Sequence, residues 1–151
     1  MNWYLALKYV HVLLAITAVG TNITYGVWSA RSAREPEHLG FALGGINFLD
    51  DRVANPCYGG LLVTGLILAA VGHIPYTTTW IVIAIAMWVL LVIVAVAVYT
   101  PTLSKQIKTL EAEGRESAAF QALSLRGTLV GIPLGVLALL IVLDMVVKPH
   151  F

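Results

Sequence analysis

Four apolar runs, over residues 3–29, 55–73, 79–100 and 127–147, dominate the chain. Each is long enough to cross about 30 Å of hydrocarbon at about 1.5 Å of rise per residue. Inside a bilayer every backbone amide must find its partner within the protein, so runs of this kind are helices. The composition agrees: 59% of the 151 residues are hydrophobic, 11% are charged, and the mean hydropathy is +0.87. A chain this short has no core large enough to hide so much apolar surface from water. The expected molecule is an all-α membrane protein, a single transmembrane domain over residues 1–151 lying in the lipid bilayer. Short turns between consecutive spans favour an antiparallel bundle of four transmembrane helices.

Basic residues set the orientation. The first connection carries Arg31, Arg34 and Arg52, and the third carries Lys105, Lys108, Arg115 and Arg126. The second, between His73 and Thr79, carries none. The positive-inside rule therefore places connections one and three in the cytoplasm and both termini outside. Trp3, Tyr4, Tyr76 and Trp80 would form an outer aromatic belt, and Tyr25, Trp28, Tyr58 and Tyr99 an inner one. The first run starts at once, is about twice as long as a signal-peptide core and lacks a small-residue cleavage site, so it is expected to stay as the first span. A net charge of +1 gives no basic field for nucleic acid, which excludes that partner class. The single cysteine, Cys57, leaves no intrachain disulfide and reads as a small buried apolar residue.

Between the spans, residues 41–51 are rich in Phe, Leu and Ile around Gly44-Gly45, which suits a partly helical segment lying at the cytoplasmic interface. Residues 103–125 alternate apolar and charged positions about Gly114 and read as an amphipathic cytoplasmic helical connection between helices three and four. His38 is expected on a solvated surface. The second span opens on Asn55-Pro56, a proline suited to a first helical turn, and its Gly59, Gly60, Gly65 and Gly72 invite a neighbouring helix to approach closely. The third, almost uniformly aliphatic, is expected to be the most lipid-exposed. The fourth contains Gly131-Ile-Pro133-Leu-Gly135, where a kink is expected.

The first span holds the groups with chemistry. Tyr4, Lys8, His11, Ala15, Ala18, Asn22 and Tyr25 recur at spacings of four and three, so one helical face gathers its polar and small residues. A cation, an imidazole and an amide on one stripe point towards protein, and an intramembrane ionisable group is a functional candidate. Lys8 and Asp144 fall at similar outer depth and are natural partners; the alternative is that Lys8 and Lys148 snorkel outward and Asp144 is wetted. His11 is suited to a helix-to-helix hydrogen bond, a proton relay, or axial ligation of haem as its metal ligand. His73, about 10 Å shallower, and Met87, about as deep, are the candidate second ligands. Asp50-Asp51-Arg52 and Arg126 could meet haem propionates, lipid headgroups or one another, with Arg52 as an interfacial anchor and the acids as its counter-charge. A closed structural zinc site lacks its spaced Cys and His set.

Three local patterns resemble known proteins. Leu5-Ala-Leu-Lys-Tyr-Val-His11, Arg52-Val-Ala-Asn-Pro56 leading into Leu62-Val-Thr-Gly65, and Asp144-Met-Val-Val-Lys148-Pro149 resemble a family of predicted four-span bacterial integral membrane proteins. More distantly they are similar to HemJ-type protoporphyrinogen oxidases and to the copper resistance D membrane domain. The resemblance implies a four-helix bundle in a bacterial cytoplasmic (inner) membrane. In the HemJ-like branch it implies haem b ligated by the histidine at His11. The functional expectation is a small haem b-binding membrane protein with an electron-transfer or haem-linked redox role. The alternatives are an accessory or assembly subunit, with other membrane subunits or a second copy as partners, and a metal or small-solute conduit along Lys8, His11 and Asn22.

Overall fold

A computed structural model describes residues 2–149. Among them there is no β-strand. The helices are α1 (Trp3–Arg34), α2 (Leu39–Leu49), α3 (Asn55–Val71), α4 (Thr79–Val94), α5 (Thr100–Glu113) and α6 (Ala118–Val147). Four continuous helical rods result, each long and apolar enough to cross a membrane: α1, α2 running into α3, α4 running into α5, and α6. The four-span helical architecture expected from the sequence is therefore present.

All four rods are longer than the expected spans, the middle two for the same local reason. A π-helical turn, Asp50–Ala54, joins α2 to α3, and another, Ala95–Tyr99, joins α4 to α5. Each is followed at once by an X-Pro pair, Asn55-Pro56 or Thr100-Pro101. Proline has no N–H for the carbonyl four residues back, and its ring crowds that carbonyl. Widening the preceding turn by one residue relieves the clash without ending the helix. Pro56 thus follows a π turn in mid-rod and does not open a helix. Residues 41–51 are helical rather than partly so: α2 continues through the π turn into α3 and packs on α1 and α5. The rod over Thr79–Glu113 has 35 residues, about 50 Å at the helical rise, so its α5 end stands beyond a hydrocarbon layer of about 30 Å. Gly114, at φ 81, makes the turn into α6, as the sequence suggested. Ser117 then caps α6 by accepting from the Phe120 amide at 3.1 Å. The α6 helix runs unbroken through Pro133.

α1 packs chiefly on α3, and α4 chiefly on α6. The bundle is two tight helix pairs with a looser seam between them. We call the end bearing connections one and three the basic end and the other the terminal end. At the basic end Tyr25, Leu43, Ile46, Ala54, Leu103 and Phe120 form one apolar cluster; in mid-bundle Leu91, Leu134 and Ala138 form another between α4 and α6. Helix α4 is not the most exposed: Ile81, Ala84 and Leu91 are buried, and the apolar stretch of α1 is the least buried of the four. A uniformly aliphatic helix has no polar face to mark its outside, so its inward face is chosen by side-chain shape alone.

Candidate functional site

The stripe on α1 turns inward from His11 to Tyr25, and two of its polar groups meet α3 while a third meets the π turn before it. His11 Nδ1 lies 2.7 Å from Thr64 Oγ1. The Thr64 hydroxyl donates to the Gly60 carbonyl at 2.6 Å, so it accepts from His11, whose Nδ1 carries the proton. Asn22 Nδ2 donates to the Tyr58 hydroxyl at 2.5 Å and to the Ala18 carbonyl at 2.9 Å. The Tyr25 hydroxyl reaches Asp50 Oδ1 at 3.5 Å.

Around His11 the two helices are closed on each other. A Cβ on Gly65 would stand 3.2 Å from His11 Cε1, and one on Gly60 would stand 2.9 Å from Leu14 Cδ1. Two of the four glycines expected to admit a neighbour do so here. Lys8 is exposed, and it makes no ion pair with Asp144 among the described residues. Asp144 is instead buried, with Oδ2 lacking a hydrogen-bond partner. Of the two alternatives, Lys8 follows the outward one, while Asp144 is buried and, among the described residues, neither paired nor wetted. Lys148 sits over the Trp80 ring at 5.2 Å. His73 is exposed in the turn after α3, at φ 52, and Met87 is half-buried on α4, whose main neighbour is α6. Neither is brought to His11 by the main helix pairing.

The basic half is different. Asp50 starts the first π turn and is only 6% exposed. Thr100, directly after the second π turn, donates to its Oδ2 at 3.0 Å. The rings of Tyr25 and Tyr99 are stacked with centroids 6.4 Å apart, and the Trp88 indole N–H donates to the Tyr58 carbonyl at 3.2 Å. A cavity of about 550 Å³ lies between the two helix pairs, with Asp50, Asn22, Asn55 and the three tyrosines on its polar side. Apart from Ser29 and Thr128 its remaining wall is apolar, from α1, α4, the π turn after α4, and α6. A second cavity of about 410 Å³ opens beside Arg115, Glu116 and Gln121 and shares Ser29, Tyr99 and Thr128 with the first. The two together lead from the basic end to Asp50.

Several expectations change here. Tyr25, Tyr58 and Tyr99 are turned into the cavity and do not form a lipid-facing belt, while Trp28 packs edge-on against Phe41 at 5.8 Å. Arg52 is exposed and pairs with neither aspartate among the described residues, so Asp50 is not its counter-charge. Cys57 is buried, as expected, and His38 and Arg126 are exposed. Asp50, expected at the interface, is buried; the signal lay in two X-Pro pairs that follow closely on an acid and a tyrosine at the same end of two antiparallel spans.

The fold and this interior define a multi-pass helical membrane protein with a mainly apolar cavity, bearing a few polar groups, set in its basic half. Over residues 5–149 the chain matches the model of a family described as predicted integral membrane protein (DUF2269), and it belongs to that family. No curated protein and no solved structure matches it.

Proposed function

We propose that this protein binds a small molecule in the cavity beside Asp50 and acts as a membrane receptor or conduit for it. The observation that carries this reading is the buried carboxylate: Asp50 faces a cavity of about 550 Å³ and has only neutral hydroxyl partners there. A pocket in the range of about 300–1,000 Å³, mainly apolar with a few convergent polar groups, is the usual form of a small-molecule site. The adjoining cavity supplies an approach from the basic end, with Tyr99 on the shared wall. Of the functions considered from sequence this is the small-solute conduit, moved from the His11 level to the Asn22–Asp50 level. Native mass spectrometry of protein released gently from its membrane tests it. The wild type should retain a bound small molecule that is lost in Ala95→Phe, which fills the cavity wall. An unliganded wild type that no small molecule stabilises would sink the proposal.

Haem b is a second reading, favoured by one observation: with Nδ1–H given to Thr64, the free lone pair of His11 lies on Nε2, the arrangement a metal-ligating histidine adopts. Bound haem would supply one-electron redox chemistry. The space beside His11 does not fit the macrocycle between α1 and α3, since Gly65 already packs on the His11 ring and Gly60 on Leu14 across that interface, and neither cavity is lined by His11. No group of three potential metal ligands occurs among the described residues. A Soret band in purified protein, lost in His11→Ala, would establish the haem reading; a colourless preparation from haem-replete cells would remove it.

A further inference from the structure

We propose that the ligand of the Asp50 cavity is an organic ammonium with an apolar tail, its charged nitrogen held between Asp50 and the rings of Tyr25, Tyr58 and Tyr99, its tail lying in the seam between α1 and α6. This rests on the ligand-binding reading above and names the ligand class. The first argument is charge. The ion pairs among the described residues are Arg31–Glu35 and Arg115–Glu116, so no lysine or arginine neutralises Asp50. A buried carboxylate without a cation is costly, and a cationic ligand removes that cost. An anion would meet the carboxylate unfavourably.

Aromatic faces are the second argument. The three tyrosines line the cavity around the acid, and a positively charged nitrogen is attracted to the faces of such rings. A bare metal ion would need more oxygen ligands than one carboxylate and neutral hydroxyls offer.

The seam is the third. Ile23 on α1 and Ile132 and Leu139 on α6 line the cavity and are also 60%, 64% and 53% exposed on the outer surface of the bundle. Gly26 and Gly135 stand on the same walls, and a Cβ on either would meet nothing within 4 Å. The cavity is therefore open sideways between two helices that are each long and apolar enough to cross a membrane. A tail fits that opening, and a purely polar solute does not.

The test uses the full chain in zwitterionic lipid nanodiscs and measures binding of octyltrimethylammonium by equilibrium dialysis, after subtracting partition into empty discs. Tetramethylammonium supplies the head without the tail, and octanol the tail without the cation. The expected result is saturable one-site binding of octyltrimethylammonium, at least about tenfold tighter than either control. It should weaken about tenfold in Asp50→Asn, in Tyr99→Leu and in Gly135→Trp, which closes the seam, and stay within about threefold in Tyr99→Phe, which keeps the ring. Tyr99→Leu and Gly135→Trp keep the test decisive if Asp50→Asn fails to fold. Octanol binding equal to that of the ammonium, or ammonium binding indifferent to Tyr99→Leu and Gly135→Trp, would overturn the inference. If the wild type retains another molecule in native mass spectrometry while octyltrimethylammonium does not bind, the ligand class is wrong and the cavity reading stands. If neither binds, both fall.

Discussion

The two halves of the α1–α3 interface use the same kind of residues to opposite ends. At the terminal half, His11 and Thr64 are bonded across helices that glycines bring into contact, and the polar groups satisfy each other. At the basic half, Asn22, Tyr25, Tyr58 and Asp50 lie on the same two helical rods and also bond to one another, but they border the cavity that separates this pair from α4 and α6. A polar stripe on a membrane helix is thus not one site. Whether a group is structural or available to a ligand depends on the size of what faces it, and small residues opposite the stripe close it.

The comparison can be broken by experiment, beginning with the largest effect. Ile46→Ala, at a fully buried position in the basic-end cluster, should cost about 2–5 kcal/mol, read by thermal unfolding in detergent, because the framework around the cavity is well packed. A negligible loss would mean that the basic half is soft and its cavity not a built feature. Gly60→Leu should cost about 1–3 kcal/mol by driving α1 and α3 apart at Leu14. Gly135→Ala should stay within about 0.5 kcal/mol, since its Cβ points into open space. Equal costs at the two glycines would erase the distinction between a closed and an open half.

Finer tests address the polar groups. Asp50→Asn should weaken ligand binding about tenfold, equivalent to about 1.4 kcal/mol, with the far-ultraviolet helical signal unchanged. A double-mutant cycle of His11→Ala with Thr64→Val should give a coupling of about 0.6 kcal/mol, the usual size of an interhelical hydrogen bond in a membrane protein. A coupling several times larger would show that His11 takes part in more than helix pairing, and would return attention to the terminal half.

Much of the architecture was legible in the residues. Apolar run length located the four spans, Gly114 marked the turn into α6, and the four-and-three spacing on α1 identified its inward face from His11 to Tyr25. The site was less legible. Lys8 and Asp144 matched in depth yet are not joined, because depth constrains only one coordinate and the rotation of each helix sets the other two. Tyr25, Tyr58 and Tyr99 have the depth of an interfacial belt, and the same depth serves a cavity wall when the ring is turned inward.

By itself the sequence determined that this chain spans a membrane four times as helices, since long apolar runs with unbonded amides admit no other arrangement in lipid. It also determined which end is basic and which residues of α1 avoid lipid. Only the tertiary structure decided that α1 pairs with α3 and α4 with α6, that prolines 56 and 101 sit beyond π turns in continuous rods, and that Asp50 faces a cavity while His11 faces threonine. The physical reason is that helix pairing and rotation depend on shape complementarity between side chains distant in sequence, which hydropathy and periodicity along a single helix do not encode.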